Sequence, residues 1–284
     1  MNFKVTELYD IFSNRELSTV IWILPIILGI QFNKGIRMAS RGVLKSFFVT
    51  SILIVILLAI LYSSSIIYLL YRLSFWDFSL FKDSIYWFIG SGFLILFNLK
   101  KAGKEKDFFK NMVRDNLKLI LILEFVVNIH QFSLITELIL LPIIAFLAMI
   151  QAVAEREERT QKVKSLIDWV FTIFGVVVLG ISIRDIWIDF HGFANLPNLK
   201  SFLLPIILSI TFIPFAYCIA FYMNLELIFV RLGMFLKNNK DIRYAKRQTI
   251  LMSRLSLKKL NKISPKINTL YNGSTREDIR NAIT

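Results

Sequence analysis

The chain has one cysteine and two histidines in 284 residues. A lone Cys218 excludes an internal disulfide framework and a Cys-based metal site. Its place inside an apolar segment marks it as a small core residue. Acid–base catalysis built on histidine has only His130 and His191 to draw on. The sequence holds no His-Glu-x-x-His, no Gly-x-Ser-x-Gly, no phosphate-binding Gly-x-x-x-x-Gly-Lys-Ser/Thr loop and no dinucleotide fingerprint. No cofactor is therefore expected. Acid is also short: 20 Asp and Glu stand against 34 Lys and Arg, for a formal charge of +14. The first apolar stretch follows Glu7, Asp10, Arg15 and Glu16 instead of a basic leader, and no small-residue cleavage pattern comes after it. It reads as a retained span.

What is abundant is apolar. The chain is 56% hydrophobic with 26 phenylalanines, and its mean hydropathy is +0.61. A soluble domain of this composition could not keep its surface polar. The cations are sorted between the apolar runs in successive gaps of two, four, two, seven, zero, four, two and thirteen. Cytoplasmic loops retain Lys and Arg and outer loops are depleted of them. With seven spans every rich gap falls on one side, which places the N-terminus outside and the C-terminus in the cytoplasm. The basic charge is thereby a matter of topology, and nucleic acid is not an expected partner.

A helix needs about 20 residues to cross a hydrocarbon core about 30 Å thick. The candidate spans are 17–33, 47–71, 85–99, 117–133, 134–154, 166–188 and 201–223. Those at 17–33 and 85–99 are short, and Pro205 and Pro214 should kink the last. The segment 117–133 carries Glu124, Asn128, His130 and Gln131, whose insertion cost of roughly 4 to 6 kcal/mol nearly cancels its apolar gain. It is expected to enter as a hairpin with 134–154, with His130 near the outer turn. Dropping it alone would break the charge alternation; dropping the whole hairpin would leave five spans in the same orientation.

The expected architecture is an all-α polytopic bundle. A short outer amphipathic segment, 1–16, precedes the membrane bundle, 17–230, and a basic amphipathic cytoplasmic tail, 231–284, follows it. In the first segment Val5, Leu8, Tyr9 and Phe12 fall at helical spacing. Phe75, Trp76, Phe78 and Phe81, and again Trp187, Phe190 and Phe193, have the composition of interfacial aromatic belts. Both groups contain Asp-Phe-x-x-Phe, an echo that a chain so rich in phenylalanine produces by coincidence. The tail is expected to continue the last span as one basic helix, broken at Ser264 and Pro265, with Asn272-Gly273 as a turn. The bias toward Ile, Leu, Phe and Lys suggests a bacterial plasma-membrane protein.

Glu124, Asn128 and Gln131 share one helical face. An ionisable group inside a membrane is a functional candidate by default, so these three, with Glu137 and Gln151 as the nearest company, form a candidate polar intramembrane path. The competing interpretation is that a neutral Glu124 only hydrogen-bonds a neighbouring helix. Asp168, Asn224 and Glu226 are candidates for an inner vestibule, or interfacial acids paired with nearby cations. Lys237, Lys240, Arg243, Lys246, Arg247, Lys258 and Lys259 are placed to bind anionic inner-leaflet lipid. Asp185, Asp189 and His191 lack a third ligand at a recognised spacing and make no convincing metal site. The run from Glu155 to Arg159 suits salt bridges along a solvated helix end.

Three functions follow from these residues. The leading one is a transporter or channel-like protein with a polar path, completed by a homo-oligomer or a membrane partner. The alternative is a non-enzymatic sensor or partner-binding protein acting through its basic tail. The third is a lipid-modifying enzyme using Asp185 and Asp189.

Overall fold

The computed structural model describes residues 13–99, 102, 108–124, 132–190, 194–271 and 273–283. Every regular element among them is helical. Six are long and apolar enough to cross a membrane, which makes this an α-helical chain suited to a bilayer. The candidate span 117–133 falls partly on a helix ending at Glu124 and partly outside the described residues. The amphipathic segment proposed for residues 1–12 also lies outside them.

The chain divides into two compact units. The first combines residues up to Leu53 with Ile120–Asn198. Its α1, Asn14–Phe32, opens with a capping box in which the Ser13 hydroxyl accepts from the Glu16 amide and the Glu16 carboxylate accepts from the Ser13 amide. Asn33 then ends α1 and caps α2, Lys34–Phe47. Lys34, Arg37, Arg41 and Lys45 line one side of α2, and Ile36, Val43, Leu44 and Phe47 the other. The remaining helices wholly within this unit are α7, Leu134–Ala154, and α8, Gln161–Ile188; α3 to α6 come between in sequence.

In this first unit α1 and α7 run in the same direction. Asn14 donates to the Phe132 carbonyl, Arg15 to Glu137 and the Trp22 indole to the Leu138 carbonyl. By contrast α7 and α8 are antiparallel, since Glu155 pairs with Lys164 and Gln151 with Asp168. The charged run from Glu155 starts at the C-cap of α7, where Glu155 pairs with Lys164, and continues as the turn to α8, with a short 3-10 helix over Glu158–Thr160. Only six described residues of this unit are buried, and three of them, Ser18, Glu137 and Ser182, are polar.

The second unit, Ile54–Leu119 with Leu199–Thr284, has a continuous apolar core. It contains most of α3, Thr50–Arg72, followed by a composite rod over Phe78–Asn98. The rod consists of a 3-10 turn, α4 at Phe81–Trp87, a π turn at Phe88–Gly92 and α5 at Phe93–Asn98. Leu80, Ser84, Trp87, Ser91, Ile95 and Leu99 are all buried along it. They make five steps in nineteen residues, against about eighteen for five α-helical turns, and the single i→i+5 turn takes up the extra residue. The bundle continues with α6, Phe108–Glu124, and with α9, Leu196–Phe235, which holds both Pro205 and Pro214.

The direction of each helix in this unit is read from its contacts with α9. The Tyr62 hydroxyl donates to the Thr211 carbonyl and Lys200 reaches Ser74, so α3 is antiparallel to α9. Asp83 bonds Ser201 and the Trp87 indole donates to Ser209, so the rod is parallel to it. Phe212 sits at the centre, against Tyr62, Trp87 and Phe215.

Two expectations are corrected. The third apolar span begins at Phe78, not at 85, because Asp83 meets Ser201 and so does not end the helix. The tail is not one helix broken at Ser264 and Pro265. It breaks after Phe235, where Asn238 caps α10, Asn239–Ser253, and again at Arg254 and Leu255, while Pro265 lies inside α11, Leu257–Lys266. A last helix, α12, covers Arg276–Ile283. Leu257, Leu260, Ile263, Ile267, Ile279 and Ile283 form the buried part of this folded tail.

Candidate functional site

The first unit places its principal charged contact at the start of two parallel helices. Glu137, in the first turn of α7, is 2% exposed, and its carboxylate receives Arg15 through Nη2 at 2.9 Å and Nε at 3.1 Å. Both bonds converge on Oε1, with a longer contact of 3.3 Å from Nε to Oε2, and the carboxylate also lies near the positive end of the α7 dipole. Neighbouring side chains fix the register: Ser133 caps α7 by accepting from the Thr136 amide, and Asn14 and Trp22 each bond α7-side carbonyls. One turn beyond Arg15, the buried Ser18 hydroxyl has no hydrogen-bond partner among the described residues.

Sequence reasoning put Glu137 beside Glu124 in a polar path and left Arg15 in the N-terminal gap. The structure instead gives Glu137 to Arg15. A signal for this pair was present: seven spans would put the starts of the first and fifth on the same side, bringing an Arg and a Glu to the same depth. Glu124 is the last residue of α6. Asn128 and Gln131 lie outside the described residues. Gln151, offered as further company for Glu124, donates to Asp168 across the α7–α8 contact.

The three vestibule candidates divide between the two units. Asp168 is half-buried with Gln151, and Lys164 beside it pairs with Glu155 at 3.0 Å. In the other unit the Asn224 amide donates to the Ala220 carbonyl of its own helix at 2.8 Å, and Glu226 is exposed. Asp185 and Asp189 lie at the end of α8, and His191 is outside the described residues.

The folded tail gathers cations. Lys237, Lys240, Arg243, Arg247, Lys258 and Lys259 are exposed, while Lys246 is half-buried with Nζ 5.2 Å from the Phe229 ring centre. Asp241 pairs with Arg276, whose guanidinium also stands over Tyr244. Thr275 donates its amide and hydroxyl to Asp278, holding that carboxyl below the ordinary carboxylate value and capping α12. Tyr217 and Arg231 join the tail to α9: the Tyr217 hydroxyl donates to the Leu255 carbonyl and accepts from the Leu257 amide, and Arg231 donates to Ser264. An open cleft of about 350 Å³ between α11 and α12 is lined by Lys266, Thr269, Tyr271 and Asp278 among others. These folded contacts were not readable from the tail's charge pattern.

No known family, curated protein or solved structure matches the chain.

Proposed function

We propose that this is a seven-span, non-enzymatic membrane protein whose working part is the basic C-terminal module, held on the cytoplasmic side against an anionic surface. The support for seven spans is geometric. Successive crossings alternate in direction, so helices running the same way are separated by an odd number of crossings. Between the parallel α1 and α7 stand two long candidates, α3 and the rod, and an odd count requires a third. Between the parallel rod and α9 stand α7 and α8, and again a third is required. The chain from 108 to 133 is the segment left to supply it in both cases. The charge alternation then puts the N-terminus outside and the tail inside.

The observation that carries the functional reading is the stretch 242–275, which contains eight Lys and Arg and no Asp or Glu. It folds as packed helices and is hydrogen-bonded to the last span through Tyr217 and Arg231. A cationic surface fixed beside a membrane meets anionic headgroups, each nearby cation contributing about 1 kcal/mol. The test is hydrogen exchange on the full chain in nanodiscs. Residues 239–266 should exchange more slowly in phosphatidylglycerol than in phosphatidylcholine, and replacing Arg247, Lys258 and Lys259 by Gln should remove the difference. Identical exchange in both lipids overturns the reading.

A second reading is favoured by the same geometry. A fourth crossing through 108–133 takes Glu124 and Asn128 into the membrane, where polar groups are expensive and characteristic of conduction paths. Proton or cation flux into liposomes tests it: flux that Glu124→Gln abolishes supports the path, and flux unchanged by that substitution removes it.

A further inference from the structure

The strongest unexplained surface lies at the turn between α10 and α11. Ile250, Leu251 and Met252 are consecutive and exposed at the end of α10, at 51%, 57% and 38%, and Leu255 in the turn is 72% exposed. Arg254 and Leu255 both have positive φ, 45° and 58°. Consecutive left-handed residues without glycine or asparagine are costly. A leucine in such a turn, with its side chain outward, is doubly unfavourable in water. It suits a turn whose surroundings are apolar.

The fold fixes where this turn sits. At forty residues, α9 is about 60 Å long, twice the thickness of a hydrocarbon core. Tyr217 lies seventeen residues, about 25 Å, along α9 from Lys200 in the outer gap, close to one hydrocarbon thickness. Its ring centre is 5.5 Å from that of Phe109, which lies in the dense basic gap from Lys100 to Lys118 that belongs to the cytoplasmic side. From Tyr217 the helix continues for eighteen residues, about 27 Å, to Phe235. Back along that length runs α10: Lys246 lies over Phe229, and Leu255 meets Tyr217. Then α11 turns away again, with Ser264 reached by Arg231. The turn is thus held at the level of Tyr217 by two hydrogen bonds to one phenol, a side chain at home in the membrane interface.

We infer that residues 250–259 form a wedge in the cytoplasmic leaflet, with Ile250, Leu251, Met252 and Leu255 at the acyl boundary and Arg254, Lys258 and Lys259 on phospholipid phosphates. This rests on the cytoplasmic placement of the tail and deepens it: the module does not lie on the headgroups by charge alone but enters them at one pinned turn. Long basic side chains next to an inserted apolar tip extend back to the phosphate level. No acid within 242–275 opposes them.

The experiment uses the full chain in nanodiscs with Cys218 replaced by serine. Nitroxide labels are placed at Leu251→Cys, Leu255→Cys and, as an exposed control far from the turn, Lys237→Cys. The labels at 251 and 255 should relax several-fold more with oxygen, which concentrates in lipid, than with a water-soluble nickel chelate; the label at 237 should show the reverse. Nickel accessibility at 251 and 255 equal to that at 237 places the turn in water and overturns the wedge. Protection from both relaxants marks a protein contact and overturns it equally. Because Leu251 lies outside the turn, its label reports depth even if the substitution at 255 misfolds. If slower exchange in phosphatidylglycerol persists while the turn is in water, the wedge alone falls. Equal depth in both lipids leaves the wedge standing and removes the anionic preference.

Discussion

The two units hold their helices together by different means. In the first, an ion pair between Arg15 and Glu137 and an amide–carboxylate contact between Gln151 and Asp168 join helices whose buried residues are few. In the second, neutral hydrogen bonds, Tyr62 to a carbonyl and Trp87 to Ser209, are set within an apolar core around Phe212, while its ion pairs, Lys200 with Asp77 and Arg276 with Asp241, are partly exposed. The difference separates two kinds of stability. A neutral hydrogen bond between membrane helices is worth about 0.6 kcal/mol, so the second unit depends on packing. A buried charge pair contributes little net stability, yet removing one partner is severe, because the other charge is left without compensation. The first unit therefore depends on pairing.

Arg15→Met should be the most damaging single change, because it leaves the buried Glu137 carboxylate without its cation, lowering stability by about 3–5 kcal/mol in an equilibrium unfolding measurement in detergent. Adding Glu137→Leu should recover most of that loss; a double variant as unstable as the single one would show that Arg15 acts through something other than this partner. In the second unit Phe212→Ala should cost about 3 kcal/mol by leaving a cavity between Tyr62 and Trp87. If it costs less than 1, the apolar core is not what holds that unit. Trp87→Phe keeps the ring and removes the donor to Ser209. It should cost about 0.6 kcal/mol, and a loss near that of Arg15→Met would erase the contrast between the units.

The smallest effect is expected outside both bundles. The Asp278 carboxyl lies below its ordinary value because Thr275 donates to its charged form. Its capping contribution is therefore fully present above the unfolded carboxylate value of 3.8 and is lost as pH falls through the lowered folded value. Hydrogen exchange across 276–283 should quicken only in that acid range, and Asp278→Asn should remove the pH dependence.

Much of the helical framework was legible because length and apolarity alone mark a spanning helix. The rod begins at Phe78, ahead of Lys82 and Asp83, two charges that in sequence resemble a helix end, and the contact of Asp83 with Ser201 shows why the helix tolerates the acid. The pairing of Arg15 with Glu137 spans 122 positions and has no local signature. The tail misled for a different reason. Its cations follow one long amphipathic pattern, while its breaks depend on a left-handed pair at Arg254 and Leu255, and neither residue is a usual turn former. Of the proposed polar path, Glu137 is paired with Arg15, while Asn128 and Gln131 stand beyond the described residues.

The forty-residue continuity of α9 makes it a lever as well as a span. With Tyr217 as its fulcrum, the 27 Å arm below converts a tilt of about 10° in the membrane into about 5 Å of displacement at Phe235. Tilt answers to hydrocarbon thickness. A change of hydrocarbon thickness that tilted α9 would therefore move Phe235 sideways, at the far end of the arm.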